Sequence, residues 1–318
     1  MSKIGIDIEK AKQILQEGGL VGIPTETVYG LAANALDKDA VLKIFEAKNR
    51  PHFDPLIIHT DSIEKIKQYV SDFPQWAKQL ANAFWPGPLT LLLPKKNTIP
   101  DLVTSGLSQV AVRIPNHTLT LQLLKSLDFP LAAPSANPFG YISPTKATHV
   151  AAQLQGCVDY ILDGGSCEVG IESTIVGFED EKITIYRIGG LALEDIEKLV
   201  GKVQVKINQS SNPLAPGMLK SHYAPKKPLF IVDVAAFLKE NNSKKFGVIS
   251  FSKIYKGEKI ISKTLSPSSN LKEAAHNLFA ALRDLDESDV EVIIAEKFPD
   301  SFLGRAINDR LERASVSL

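Results

Sequence analysis

Residues 48–59 read KNRPHFDPLIIH. Two cations, Lys48 and Arg50, lead into Pro51, which bars further helix, and the apolar run Leu56-Ile57-Ile58 follows and ends in His59. A helix that stops on charge and gives way to a short strand is the repeating step of an α/β fold. The same alternation extends in both directions. Upstream, Asp37 to Ala47 carries helical spacing, Leu20 to Ile23 reads as a strand, and Asp7 to Glu17 reads as a helix stopped by Gly18-Gly19. Downstream, Leu89 to Leu93, Val110 to Val112, Leu131 to Ala133, Tyr160 to Leu162, Thr174 to Val176 and Ile183 to Ile185 read as strands. Ser62 to Val70, Gln75 to Phe84, Thr118 to Leu127 and Lys146 to Leu154 read as the helices between them. Together they predict helices packed around a mixed sheet.

The pattern breaks at 208–228, NQSSNPLAPGMLKSHYAPKKP, where Pro, Ser, Asn and Gly concentrate and neither period survives. That stretch reads as a linker between a first domain over 1–207 and a smaller α/β domain over 229–318. The second domain is expected to hold strands at Leu229 to Val232, Phe246 to Ser250 and Val290 to Ala295. A long helix carries Leu271, Ala275, Leu278, Leu282 and Leu285 on one face, and a closing helix carries Arg305, Asp309, Arg310 and Arg313, which read first as a solvated charged face and second as a face that docks on the first domain.

Composition narrows the class. The 318 residues are 44% hydrophobic and 23% charged, with 36 basic against 36 acidic side chains, so any anion site must come from local placement of charge. Cys157 and Cys167 fit no metal or redox spacing and read as reduced thiols. The opening MSKIGIDIEKAKQILQ has no uninterrupted apolar core and no run approaches a membrane span, which places the chain in the cytoplasm with no membrane partner.

Common nucleotide and hydrolase signatures are missing. Gly165 to Gly170 has the glycine spacing of a phosphate loop, but Ile171 and Glu172 stand where Lys and Ser/Thr are required, and no G-x-G-x-x-G, H-E-x-x-H or G-x-S-x-G pattern occurs. What remains are polar residues at strand ends, where α/β sheets place their ligands. Thr25-Glu26-Thr27-Val28-Tyr29 reads either as a small-ligand cradle or as a helix N-cap. Lys48 and Arg50 read singly as complements of a helix dipole. With Arg113 and Arg187, also cations at strand mouths, they could build a site for a multiply charged anion. Ser135 and Asn137, flanked by Pro134 and Pro138, read as presented donors or as an ordinary turn. His59 and Ser173 each read as a ligand contact or as a satisfied structural residue.

Taken in order, GIPTETVYGLAANA, KNRPHFDPLIIH, WPGPLTLLL, VAVRIP, AAPSANPFGYISPT, GGSCEVGIESTIV, YRIGG, APGMLKSHYAP and GRAINDRLERA resemble the threonylcarbamoyl-AMP synthase family in its two-domain form. The resemblance implies an open, twisted YrdC-like sheet with a cationic concave face, followed by a Rossmann-like domain, with the linker folding over the bound nucleotide. It implies a nucleotidyltransferase that makes L-threonylcarbamoyladenylate from L-threonine, bicarbonate or CO2, and ATP, releasing pyrophosphate. The product feeds the threonylcarbamoyladenosine modification beside the anticodon of tRNA through a downstream transferase.

Position by position, the resemblance assigns L-threonine to Thr27, His59, Arg113, Ala133 and Ser173. It assigns ATP to Arg50, Ser135, Asn137, Ser143, Arg187 and Tyr223, with Tyr29 in or beside the site. Lys48 and Arg50 would act as the catalytic cations on the phosphates. Asp54 and Gln109 fall on the nucleotide side, where family members commonly carry Asn and a small hydroxyl residue. Magnesium is expected to arrive with ATP, with no protein carboxylates committed to it. Weak RNA binding by the cationic concavity is the alternative from another class, against which stand the zero net charge and the lack of an aromatic-basic motif. A carbamoyl transferase acting on another acceptor is a further alternative, and the acylphosphatase and zinc-finger segments of such proteins have no counterpart here.

Overall fold

Every strand expected before residue 200 is present in the computed structural model, which describes residues 3–206, 222–241 and 243–316. The first unit contains β1 (Lys3–Gly5), β2 (Val21–Ile23), β3 (Gly30–Asn34), β4 (Ile57–His59), β5 (Leu89–Pro94) and β6 (Gln109–Arg113). It continues with β7 (Leu131–Ala132), β8 (Tyr160–Leu162), β9 (Thr174–Glu179), β10 (Lys182–Arg187) and β11 (Gln204–Val205). They form one 11-stranded sheet in the order β1-β8-β2-β3-β7-β4-β6-β5-β9-β10-β11. The sheet is mixed: β4 runs parallel to β6, while β5 runs antiparallel to β6.

The stretch that opened the sequence reading folds as its residues require. Asp37 caps helix Lys38–Lys48 by accepting from the Asp39 and Ala40 amides, and Asn49 ends it in the left-handed conformation at φ 51°. Pro51 then prevents resumption, and the chain enters β4 with Ile57, Ile58 and His59 all buried. A continuous buried run suits a strand covered on both faces.

Beyond the linker, β12 (Leu229–Ile231), β13 (Phe246–Ser250), β14 (Ile260–Thr264) and β15 (Val292–Ala295) form a second sheet in the order β12-β15-β13-β14. All its pairings are parallel, as a Rossmann-like unit requires. Helix Leu271–Glu287 buries Leu278, Phe279 and Leu282 completely, each contributing about 1.5–3 kcal/mol. These side chains belong to one continuous apolar cluster that also holds Ile142, Ile171 and Ile188 of the first unit.

That shared core decides between the two readings of helix Leu303–Ala314: the solvated face, favoured from sequence, gives way to docking on the first unit. Arg310, Asp309 and Arg313 are buried, and Arg305 pairs with Glu194 of the first unit at 2.9 Å. The helix is wedged between the two sheets, so its charges find partners in protein. Gly170 belongs to the same contact: a Cβ there would lie 2.5 Å from the His276 carbonyl oxygen, so the glycine lets the loop approach helix Leu271–Glu287. Residues 208–221 of the expected linker lie outside the described residues. Its described end crosses the first unit, with the Ala224 amide donating to Gly140 O at 2.8 Å. No helix among the described residues is long and apolar enough to cross a membrane.

Candidate active site

Six strands contribute to the walls of a cavity that is partly open to solvent. Its walls come from the bend after β2, from β4 and β6, from the loop after β7, from the segment before β9 and from the end of β10. The described end of the linker covers it with His222 and Tyr223.

Residues 24–29 form the first wall, and they are a bend, not a helix start. Thr25 Oγ1 donates to the Val28 carbonyl at 2.7 Å and accepts from the Val28 amide, which satisfies the bend internally and leaves Thr27 on the cavity. Glu26 is buried, with Oε2 accepting from the Asn116 amide at 3.0 Å and Oε1 lying 2.7 Å from Arg113 Nη2. Arg113 closes β6, and the parallel register pairs it with His59 at the end of β4, so both side chains reach the cavity. Burial and the neighbouring Arg113 charge push the His59 pKa down to about 3, so the imidazole is neutral. Its Nδ1 lies 3.2 Å from the Ile57 carbonyl. Ala133 lies beside them and completes the group assigned to L-threonine together with Ser173.

The opposite wall is cationic. Arg50 Nε donates to Asp54 O at 3.0 Å, Nη2 donates to Pro55 O at 2.8 Å, and Asp54 Oδ2 lies 2.9 Å from Nη2. Asp54 is thus the counter-ion of Arg50, and it stands outside the cavity lining. Arg187 donates through Nε to Ser173 O at 3.0 Å and through Nη2 to Ser173 Oγ at 3.1 Å. Burial pulls the pKa values of Arg50 and Arg187 down, and both stay cationic because a guanidinium starts so high. Ser135 lines the cavity between these groups.

Lys48 takes a different position from Arg50. Its ammonium, buried beneath the loop after β7, donates to Ser135 O at 2.5 Å and to Asn137 O, and it does not line the cavity. Burial and the Arg50 charge lower its pKa well below the ordinary lysine value. Lys48 therefore acts on the Ser135-Asn137 loop as a brace. Asn137 reinforces that loop by donating from Nδ2 to Pro138 O and Tyr141 O. Tyr29 lies behind the site, donating to Gly165 O at 2.7 Å. Ser143 is also outside the lining, and its hydroxyl donates to Glu172 Oε1 at 2.5 Å. Gln109 opens β6 at the end opposite Arg113 and lies outside the lining as well.

Tyr223 is the most constrained residue of the site. It is fully buried with a left-handed backbone, φ 64°, which costs a non-glycine residue about 1–2 kcal/mol. Its ring packs on His222 and Phe279 at centroid distances of 4.1 and 5.6 Å, and the Arg310 guanidinium lies 5.0 Å above it. Its hydroxyl reaches the cavity region without a hydrogen-bond partner among the described residues.

Three parts of the site escaped sequence reasoning. Glu172 was quoted only within a motif, although a carboxylate directly before a strand-mouth serine is a usable signal. Glu26 reads either as part of a small-ligand cradle or as a first-turn helix charge, and nothing in the sequence singles out His222 beside Tyr223. Glu172, the carboxylate in the lining, is engaged with Arg310 and Ser143, and Glu26, behind the lining, is engaged with Arg113. Among the described residues no group of three or more His, Cys, Asp or Glu side chains could hold a metal ion.

Comparison with known proteins fits this architecture. The family model described as Telomere recombination, for the Sua5, YciO and YrdC proteins, matches residues 13–189. A second, described as Threonylcarbamoyl-AMP synthase, C-terminal domain, matches residues 191–316. The chain is similar to a threonylcarbamoyl-AMP synthase of Pyrococcus abyssi, 42% identical over 97% of this chain and 94% of that protein. One of Bacillus subtilis is 41% identical over 97% of this chain and 92% of that protein. The crystal structure of P. abyssi Sua5 complexed with L-threonine superimposes with a TM-score of 0.91 at 40% identity, covering 99% of this chain and 97% of that one. Two sheets, two matching family models and near full-length relatives agree that the chain belongs to the threonylcarbamoyl-AMP synthase family.

Proposed function

We propose that this protein condenses L-threonine, bicarbonate or CO2, and ATP into L-threonylcarbamoyladenylate with release of pyrophosphate, and that the product serves threonylcarbamoyl transfer to tRNA. The observation that carries this reading is the convergence of Arg50, Arg113 and Arg187 from different elements on one cavity. That arrangement suits a carboxylate on one side and a polyphosphate on the other.

In this reading Arg113 takes the threonine carboxylate, held in place by Glu26, while Thr27, His59, Ala133 and Ser173 shape the pocket around the amino acid. A neutral His59 adds no positive charge beside the threonine amine, which must lose its proton before it attacks carbon. The amine nitrogen bonds to the carbon of the CO2 source and gives a carbamate, opening one C=O π bond of CO2 with release of a proton, or breaking a C–O bond of bicarbonate with release of water. A carbamate oxygen then attacks the α-phosphorus of ATP, the bond from that phosphorus to the bridging oxygen breaks, and pyrophosphate leaves with the electron pair. No covalent enzyme intermediate is needed, so catalysis rests on alignment and on neutralising the phosphates. Arg50 and Arg187 supply that charge, Ser135 and Tyr223 hold the nucleotide, and Lys48 fixes the loop that presents Ser135. Magnesium would be carried by the triphosphate, since the lining carboxylate Glu172 is already engaged. Covering by the linker would shield the labile carbamate from water.

The test is pyrophosphate release from ATP and magnesium with L-threonine and bicarbonate each added or omitted, with mass spectrometry of the nucleotide product. Release dependent on both co-substrates together with the threonylcarbamoyl-AMP mass is the expected result. Absence of that adduct from folded protein overturns the reading.

A further inference from the structure

Ser143 and Tyr223 lie on opposite sides of Glu172, and what connects them comes from the second unit. Glu172 is buried, with Oε1 accepting from Ser143 at 2.5 Å and Oε2 accepting from Arg310 Nε at 2.8 Å. Arg310 is 0% exposed, covers the Tyr223 ring, and donates from Nη1 to Asp309 Oδ2 at 2.5 Å. Asp309 in turn accepts from Arg313 Nε at 3.0 Å, and the Arg313 carbonyl accepts from the His222 amide at 3.1 Å. A single helix, Leu303–Ala314, therefore holds the cavity carboxylate, the lid tyrosine and the lid backbone at once.

We infer that Arg310 is a positioning residue of the catalytic cavity: through its ion pair with Glu172 and its contact with Tyr223 it fixes the Glu172 carboxylate and the Tyr223 ring in the part of the cavity wall that receives the nucleotide. The inference rests on the functional reading given above. Simple domain adhesion does not account for the arrangement, because the two units already share an apolar core and hold separate polar contacts through Arg283, Arg305 and Asp286. Adhesion gives no reason to bury a guanidinium against a carboxylate inside the cavity wall, where desolvation is costly. A fixed acceptor for Ser143 and a flat cation over Tyr223 give such a reason.

The arrangement also sets the charge of Glu172. Burial alone would raise its pKa, and the guanidiniums of Arg310 and Arg187 outweigh burial and hold it below the ordinary carboxylate value. The groups facing it are Arg310 and Asp309 of the closing helix, Arg187 at the end of β10, Ser143 and the Tyr223 phenol. Removing Arg310 leaves a buried carboxyl with less positive charge around it, so its pKa rises. Activity then acquires an acid limb that the parent enzyme lacks near neutrality.

The experiment uses the full chain, comparing the parent with Arg310→Gln, Arg310→Lys and Arg305→Gln. Arg305 sits on the same helix and joins the two units at a surface ion pair with Glu194, so its loss reports adhesion alone. Expected are folded variants by thermal unfolding and a loss on the order of 10²-fold in kcat/KM for ATP in Arg310→Gln, the scale of a misplaced reacting group. A smaller loss in Arg310→Lys, an acid limb in the Arg310→Gln pH profile and parent-like activity in Arg305→Gln complete the expectation. Parent-like kcat/KM and pH profile in Arg310→Gln overturn the inference, as does an equal loss in Arg305→Gln. If Arg310→Gln does not fold, Arg310→Lys decides: reduced kcat/KM supports the inference and parent-like kcat/KM overturns it. A parent chain that makes no adduct refutes the functional reading alone. ATP affinity, weakened in a folded Arg310 variant or unchanged, then decides the positioning role.

Discussion

Replacing Glu26 by Gln separates the structural from the binding role of Arg113. Glu26 and Arg113 are both nearly inaccessible, at 2% and 4% exposure, and their charged atoms lie 2.7 Å apart. The glutamine amide must turn its NH2 either toward the Arg113 guanidinium or toward the Asn116 amide, so one donor faces another. Removing one partner of a buried pair costs about 3–5 kcal/mol, and a neutral isostere belongs at the lower end, about 3 kcal/mol. At roughly 2–4 °C per kcal/mol for a unit of this size, the expected fall in Tm is roughly 6–12 °C. Saturating L-threonine should return part of it, because its carboxylate supplies the anion that Arg113 has lost. The increment in Tm produced by threonine is therefore larger in Glu26→Gln than in the parent. Thermal unfolding of the full chain at neutral pH, with and without L-threonine, measures both quantities. A fall in Tm below roughly 2 °C would contradict the buried pair. A threonine increment equal to or smaller than that of the parent would falsify the assignment of Arg113 to the carboxylate.

Two other predictions concern groups around the same cavity. Burial, reinforced by neighbouring cations, lowers the pKa of His59 to about 3, of His149 to about 4 and of His222 well below 6.5. An unfolded chain takes up these protons first, so the stability they represent is complete above about pH 6.5 and is lost as pH falls toward the folded values. Glu172, held below its ordinary 4.5, contributes only at lower pH, so the slope of Tm between pH 6.5 and 4.5 should flatten in His59→Gln and His149→Gln. An unchanged slope would refute this account. Tyr223→Phe removes a buried hydroxyl that has no partner among the described residues, worth about 1–3 kcal/mol when left unsatisfied, so the Tm of the free protein should hold or rise. ATP affinity in that variant should fall by on the order of tenfold, the value of about one hydrogen bond, and calorimetric titration with ATP showing no loss would remove Tyr223 from the nucleotide.

The strand mouths were legible because each cation follows an apolar run. Arg113 after Val110-Ala111-Val112 and Arg187 after Ile183 to Tyr186 announce themselves by position. What they touch was not legible, since the partners Glu26 and Ser173 are fixed by strand order and not by sequence distance. Strand β3, Gly30 to Asn34, was missed because GLAAN contains no β-branched or aromatic residue, and it is a strand because it sits between β2 and β7. Strand β14, IISKT, was missed because its polar end resembles the lysine-rich loop before it. The closing helix reads as solvated before docked for a deeper reason: charge on a helix indicates solvent only when nothing charged lies opposite. Glu172 and Glu194 lie opposite Arg310 and Arg305, and no property of residues 303–314 reveals that.

The wedging of helix Leu303–Ala314 between the two sheets also orders events during synthesis. The cavity wall begins at Thr25, and the Arg310 contact that fixes Glu172 and Tyr223 comes much later in the chain. A nascent chain can pair the strands of its first sheet, and so form most of the pocket, well before residue 310 leaves the ribosome. In that interval Glu172 lacks its guanidinium and the segment around Tyr223 lacks the helix against which it packs. On the positioning role proposed for Arg310, the cavity therefore reaches its final geometry only after the second unit has folded.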